Sequence, residues 1–148
     1  MQLQIAQKAV LYCDGKVLMV QKSADDLRNP LKWEIPGGRL EAGEELPDNL
    51  RREVREEVGL EIKIGPPLAM WQWTLGSGDS ARTVVAISRL CYPETWEVSL
   101  AGNVESDNLK DWKWVPVGDV PGLDLMESAR EAILESLDVL HAYTTSKG

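Results

Sequence analysis

Three glutamates lie close together in the segment from Gly37 to Leu60, which reads GGRLEAGEELPDNLRREVREEVGL. On a helix with about 3.6 residues per turn, the spacing of Glu53, Glu56 and Glu57 puts all three on one face. Carboxylates about 6 Å apart repel by about 3 kcal/mol per pair at an effective dielectric constant near 20. Carboxylate oxygens are ligands for Mg²⁺ and Mn²⁺, and a bound cation would relieve this repulsion. The pattern therefore indicates divalent-metal chemistry on a phosphorylated substrate.

The helix that carries these acids is predicted to open at Pro47 and to end near Val58. Proline is tolerated in a first turn, and Gly59 is a normal C-terminal residue of a helix. Leu50, Val54 and Val58 form an apolar stripe that should face a sheet, so the acids are expected where a groove meets the core. An acid-rich helix face is also commonly plain solvated surface, and from the helix alone this alternative stays open.

The other elements follow from alternation and turn signals. Asp14-Gly15 predicts a hairpin turn, and Pro36-Gly37-Gly38 predicts a turn that closes a short strand. A terminal amphipathic helix is indicated by Ile133, Leu134 and Leu137 at helical spacing. The predicted strands cover residues 3–13, 16–22, 33–35, 61–75, 82–92 and 111–117, and the predicted terminal helix covers residues 124–140. This order predicts an α+β fold with a mixed β-sheet and helices on its faces.

Length and composition restrict the class of protein. The 148 residues, 43% of them hydrophobic and 27% charged, predict one folded domain over residues 1–148. A net charge of −8 disfavours stable binding to nucleic acid, but metal-bridged phosphate chemistry stays open. No apolar run approaches the about 20 residues of a membrane span, and no signal-peptide pattern opens the sequence. We therefore expect a cytoplasmic protein in which Cys13 and Cys91 are reduced.

The segment from Gly38 to Leu60 resembles the Nudix box of the MutT-like hydrolases. That motif runs Gly, five residues, Glu, seven residues, then Arg-Glu-apolar-any-Glu-Glu-any-Gly-apolar. Every defined position is filled, in order, by Gly38, Glu44, Arg52, Glu53, Val54, Glu56, Glu57, Gly59 and Leu60. The preceding WEIPGG is also similar to the family, whereas the rest of the chain resembles it only in layout.

The resemblance implies an α/β/α sandwich with a central mixed sheet, and cleavage of a diphosphate linked to another moiety with Mg²⁺ or Mn²⁺ as cofactor. It implies metal ligation by Glu53, Glu56, Glu57 and the Gly37 carbonyl. Among these, Glu53 is our choice for the general base, and Arg52 and Glu44 would orient the acids. The chemistry would be metal-assisted attack of water on phosphorus.

Two departures from the family pattern have consequences. Asn49 stands where a small apolar residue is usual, which concerns local packing more than chemistry. Some members use a further loop glutamate before the last strand, and here Glu105 and Asp107 are both candidates.

Candidate substrate-binding residues lie on both sides of the box. Trp71 and Trp73 alternate with Gln72, so they share one face of a strand and could stack a nucleobase, although ordinary sheet packing is an equal alternative. The cationic candidates for phosphate contacts, and the tryptophan that precedes the box, are Lys22, Arg28, Arg82 and Trp33.

The preferred hypothesis is a metal-dependent hydrolase of a small nucleotide, with a (deoxy)nucleoside triphosphate, cleaved to monophosphate and pyrophosphate, as the preferred substrate class. A proline typical of ADP-ribose enzymes is replaced by Gly76, but a nucleotide-sugar or ADP-ribose pyrophosphatase remains an alternative. A non-catalytic nucleotide-sensing module is a rival of another class. The sequence leaves monomer or homodimer open.

Overall fold

The computed structural model describes residues 2–103 and 108–145. None of the helices in these ranges combines the length and the apolar content that crossing a bilayer requires. The elements in chain order are β1 (Gln2–Cys13), β2 (Lys16–Lys22), β3 (Trp33–Glu34), β4 (Gly37–Arg39), α1 (Leu46–Val58), β5 (Ile62–Leu75), β6 (Arg82–Pro93), β7 (Leu109–Pro116) and α2 (Arg130–Thr145), with 3₁₀ turns at Gly78–Ser80 and Val117–Gly122.

The strands form a mixed sheet. Its order is β3-β2-β1-β6-β5, with β4 also pairing with β1 and β7 also pairing with β2. β1 runs parallel to β6 from Gln2 to Leu11, whereas it is antiparallel to β2 and β4. The hairpin predicted at Asp14-Gly15 is present, with both residues at positive φ, as a tight two-residue turn requires. The predicted mixed sheet is thus confirmed.

The two helices cover opposite faces of the sheet. Alternation along β1 places Leu11 in the cluster with Val54 of α1, and Val10 in the cluster with Ile133 of α2. Each fully buried valine or leucine in these clusters contributes about 1.5–3 kcal/mol relative to exposure. The apolar stripe predicted for α1 is completely buried. The architecture is therefore the expected α/β/α sandwich.

Both ends of α1 follow the predicted signals within one residue. Pro47 lies in the first turn, where its missing N–H removes no helical hydrogen bond. Gly59 takes the left-handed conformation, with φ of 72°, and its N–H donates to the Arg55 carbonyl at 3.0 Å.

The predicted start and end of the terminal helix were wrong. Helix α2 begins at Arg130 rather than at Asp124, and it continues to Thr145 rather than ending at Leu140. The earlier segment bonds to β3 instead, because Trp33 N–H donates to the Asp124 carbonyl at 2.8 Å and Met126 N–H donates to the Trp33 carbonyl at 2.9 Å. A backbone committed to a strand edge in this way cannot also form helical bonds.

The paired glycines form strand β4, and the predicted turn at this place was wrong. Gly37 pairs with Lys8 and Gly38 pairs with Gln7. A Cβ atom on Gly37 would lie 2.1 Å from the Gln7 carbonyl oxygen, and the φ of Gly37 is 144°. Glycine is therefore required here, because no other residue allows β4 so close to β1.

Candidate active site

A cleft of about 1010 Å³ opens between α1 with β4 on one side and β5 with β6 on the other. Two walls of this cleft differ in chemistry. The acid wall is formed by Gly37, Gly38, Arg52, Glu53 and Glu56, and the aromatic wall is formed by Trp71, Trp73 and Leu75. Residues that are 15 or more positions apart in sequence thus face one cavity.

Arg52 holds the acid wall together. Its Nε and Nη2 atoms donate to the two carboxylate oxygens of Glu44 at 2.7 and 3.0 Å, a bidentate arrangement. Its Nη1 atom donates to Glu53 at 3.0 Å and to Glu56, one turn along the helix, at 3.3 Å. The hydrogen bond from Arg52, together with one from the Glu41 backbone, lowers the pKa of Glu44 to about 2. Glu44 is therefore an anion at any physiological pH.

The glycines of β4 give the acids room. Glu57 accepts a hydrogen bond of 3.0 Å from the Gly37 N–H. A Cβ atom on Gly38 would lie 2.5 Å from the Glu53 carboxylate, so any larger residue would displace it. Glu53 and Glu57 are only 8% and 5% exposed. Buried carboxylates need compensating cations or hydrogen bonds. Because Glu53 and Glu57 are buried, this helix face is not the plain solvated surface that the sequence left open.

Lys8 brings a second cation to the same place. Its Nζ atom lies 2.8 Å from Glu34 Oε1 and donates to the Gly37 carbonyl at 3.3 Å. Burial by itself lowers the pKa of the Lys8 ammonium, but Glu34, Glu57 and Glu53 outweigh this and raise it above its ordinary value. The acids are therefore partly neutralised by the protein itself.

The oxygen donors of the acid wall suit a hard divalent cation by type, since carboxylates and a backbone carbonyl are what Mg²⁺ and Mn²⁺ take in proteins. Within residues 2–103 and 108–145, however, no three acidic, histidine or cysteine side chains converge on one point. Glu53 and Glu56 are instead bridged by Arg52, and the Gly37 carbonyl faces Lys8. Glu105 and Asp107, the further candidate ligands, lie outside the described residues.

A buried polar chain supports β4 from behind, and Asn49 is its centre. Asn49 is fully buried, and its Nδ2 atom donates to the carbonyls of Gly38 and Arg39 at 3.4 and 3.1 Å. Its Oδ1 atom accepts a bond of 2.9 Å from Gln7, whose own Oε1 accepts from Arg89 at 3.2 Å. The departure from the family pattern at Asn49 thus has a physical account: the amide replaces apolar packing with hydrogen bonds to the glycine strand.

The predicted substrate-binding residues are mostly brought together. Lys22, Arg28, Trp71, Trp73 and Arg82 all line the cleft. The rings of Trp71 and Trp73 lie side by side, with centroids 6.4 Å apart and planes inclined by 32°.

Three predicted site residues are absent from the described lining of the cleft: Trp33, Glu44 and Glu57, the last of which accepts from the Gly37 N–H behind β4. Trp33 packs on the α2 core and takes the Lys113 ammonium over its ring at 4.9 Å. Glu44 acts from behind Arg52.

Sequence reasoning missed Lys8, Glu34 and Gln4, which also line the cleft. A usable signal for Lys8 was a lysine within an otherwise apolar strand, since an inward charge there needs a buried partner. Gln4 and Lys8 share a strand face with Ala6 by alternation, but only the register of β1 with β4 shows which cavity that face meets.

Fold and site together define an α/β/α sandwich with a carboxylate-rich cleft beside a glycine strand. The profile of the NUDIX domain matches residues 3–137, and the chain therefore belongs to the Nudix hydrolase family. The matched range includes the segment from Gly37 to Leu60 that carries the acids.

Similar proteins include nucleotide hydrolases. The chain is 25% identical over 130 residues to a nucleoside triphosphatase, NudI, of Escherichia coli, covering 81% of this chain and 86% of that protein. It is 39% identical over 64 residues to a CTP pyrophosphohydrolase of Escherichia coli, covering 43% and 47%. The crystal structure of a MutT protein from Methanosarcina mazei superposes with a TM-score of 0.74 at 24% identity, covering 93% and 94%, which shows a shared fold.

Proposed function

We propose that residues 1–148 act as a single Nudix hydrolase domain that cleaves a nucleoside triphosphate to a monophosphate and pyrophosphate. One observation carries the proposal: a buried carboxylate cluster and a half-exposed tryptophan pair line the same cleft. The acid wall suits the phosphate end of a nucleotide, and the aromatic wall suits its base. The nucleoside triphosphatase named above supports this substrate class.

The bound metal would be held by Glu53, Glu56, Glu57 and the Gly37 carbonyl. A divalent cation at such a site neutralises phosphate charge and lowers the pKa of bound water. We assign the role of general base, which accepts a proton from the attacking water, to Glu53; its place in the cleft lining and its closeness to Gly38 support this assignment.

The remaining residues orient the carboxylates, neutralise the phosphates and contact the base. Arg52, anchored by Glu44, sets the direction of the Glu53 and Glu56 carboxylates. Lys22, at the end of β2, and Arg28, in the loop that follows, supply positive charge to the phosphates where they enter the cleft. Trp71 and Trp73 offer the base an apolar face.

The decisive experiment is a panel of nucleoside triphosphates, nucleotide sugars and ADP-ribose, each tested with Mg²⁺, with Mn²⁺ and with excess chelator. We expect monophosphate and pyrophosphate from triphosphates, and no turnover with chelator. Hydrolysis in ¹⁸O-labelled water, followed by mass spectrometry of both products, identifies the phosphorus that is attacked.

Three results would contradict the proposal. Turnover that persists in excess chelator would show that the reaction needs no divalent metal. Release of inorganic phosphate alone would show that another phosphoanhydride bond is cleaved. Preferred turnover of nucleotide sugars or ADP-ribose would change the substrate class while leaving the family chemistry intact.

A further inference from the structure

Strand pairing brings the ammonium group of Lys8 to the acid wall. Lys8 pairs with Gly37 in the register of β1 with β4, and a Cβ atom on Gly37 would lie 2.6 Å from the Lys8 Cα atom. The side chain that starts at this close approach ends beside the same glycine, where its Nζ atom donates to the Gly37 carbonyl at 3.3 Å. A positive charge of the protein therefore lies on an oxygen that the proposed metal site uses.

This ammonium group is buried among carboxylates. Its Nζ atom lies 2.8 Å from Glu34 Oε1, and the side chains of Lys8 and Glu34 are only 13% and 7% exposed. The carboxylates of Glu57 and Glu53 also act on its charge. Because buried charges are screened much less than exposed ones, the Lys8 charge acts at nearly full strength on any second cation nearby.

The oxygens of the acid wall already accept hydrogen bonds from cations of the protein. Nη1 of Arg52 donates to both Glu53 and Glu56, and Lys8 donates to the Gly37 carbonyl. A divalent cation that binds these oxygens therefore competes with Arg52 and Lys8. Arg52 belongs to the family motif, whereas Lys8 lies outside it and is particular to β1 of this chain.

The competition is strong at Lys8 because the distance is short. Mg²⁺ binds oxygen at about 2.1 Å, so a Mg²⁺ ion on the Gly37 carbonyl would lie no more than about 5.5 Å from the Lys8 Nζ atom. Even at the dielectric constant of bulk water, a unit charge and a divalent charge at that distance repel enough to change a binding constant roughly tenfold.

We infer that Lys8 competes with the divalent cation for the Gly37 carbonyl and the neighbouring carboxylates, and thereby sets the metal affinity of the active site. This inference rests on the proposed function, since it concerns the metal affinity of the same site.

The test measures the affinity for Mn²⁺ without nucleotide, from the electron paramagnetic resonance signal of free Mn²⁺, in the native protein and in Lys8→Met. Methionine is similar in length and removes the charge, so we expect Lys8→Met to bind Mn²⁺ about tenfold more tightly. Lys16→Met is the matched control. Lys16 is exposed on β2 and lies outside the described lining of the cleft, so the same loss of charge there should leave the affinity unchanged.

A second pair of variants protects the test against loss of the fold. Lys8→Met alone leaves the buried Glu34 carboxylate without its ion pair, which is destabilising. Glu34→Gln removes that carboxylate, and its amide oxygen can still accept from Lys8. The double variant Lys8→Met/Glu34→Gln should therefore bind Mn²⁺ about tenfold more tightly than Glu34→Gln alone. Circular dichroism shows whether each variant is folded.

An unchanged or weaker Mn²⁺ affinity in a folded Lys8→Met, or equal affinities in the second pair, would overturn the role of Lys8. If the native protein still hydrolyses triphosphates with Mg²⁺, the proposed function stands in that case. If it hydrolyses none, the proposed function fails, and tighter Mn²⁺ binding by the Lys8→Met variants would still support the competition. Absence of Mn²⁺ binding in the native protein and in every variant would overturn it.

Discussion

The two walls of the cleft are built in different ways. The acid wall comes from one short stretch of sequence, and its carboxylates are held by Arg52, Lys8 and the Gly37 N–H. The aromatic wall comes from β5 and is backed by β6 and β1, with Trp71 and Trp73 only half-buried. Carboxylates that are held in place and charge-compensated are preorganised for catalysis. An apolar surface that is exposed in the free protein contributes binding free energy when the substrate covers it. Changes in the acid wall should therefore alter kcat, and changes in the aromatic wall should alter KM.

The largest effect is expected from Glu53→Gln. This change keeps the shape of the side chain but removes the base and a charge, so kcat should fall by about 10³-fold with little change in KM. Steady-state kinetics with Mg²⁺ and a preferred triphosphate measures it. Asp48→Asn on the same helix, at an exposed position, is the control and should be neutral. Unchanged turnover in Glu53→Gln would remove Glu53 from the chemistry.

Support of the acid wall from behind is tested by Asn49→Ala, which restores the small apolar residue usual in the family. The carbonyls of Gly38 and Arg39 and the Gln7 amide would each lose a partner, so the free energy of unfolding should fall by about 1–3 kcal/mol. Urea denaturation measures this. A double-mutant cycle with Gln7→Ala should be non-additive because the two side chains are bonded. Strictly additive changes in the free energy of unfolding would show that Asn49 and Gln7 stabilise the fold independently of each other.

The aromatic wall is tested by Trp73→Ala and Trp71→Ala. Loss of a stacking surface should raise KM about tenfold and leave kcat near the native value. Trp96→Ala removes a tryptophan that is 65% exposed and lies outside the described lining of the cleft, so it is the matched control. If Trp71→Ala and Trp73→Ala only lower the melting temperature, the pair is sheet packing and the contrast between the walls disappears.

The smallest effect is confined to acid pH and concerns Glu44. Its pKa is about 2 in the folded protein against an ordinary value of 4.5. The carboxylate therefore stabilises the fold fully above pH 4.5, and this contribution is lost as the pH falls from about 4.5 through about 2. Glu44→Gln should flatten the dependence of the unfolding free energy on pH in that window. Urea titrations between pH 2 and pH 7 check this, and Glu45→Gln, at an exposed neighbour without a capping bond, should leave the slope unchanged.

Most of the fold was predictable because its signals are local. The hairpin at Asp14-Gly15 and the limits of α1 depend on turn and cap chemistry within a few residues, and both are confirmed. The start of α2 was not predictable in this way. Its first predicted turn bonds to Trp33, which is more than 90 positions earlier in the chain, and this contact overrides helical periodicity.

What the sequence determined by itself is the acid wall: the spacing of Glu53, Glu56 and Glu57 puts them on one helix face whatever the rest of the chain does. What only the tertiary structure decided is which groups meet that face. Lys8, Gly37 and Gln4 reach the cleft through the pairing of β1 with β4 and β6, and a slip of one residue in that register would turn them to the other side of the sheet. Side-chain spacing along one helix is a local property, whereas strand register is set by the packing of the whole core.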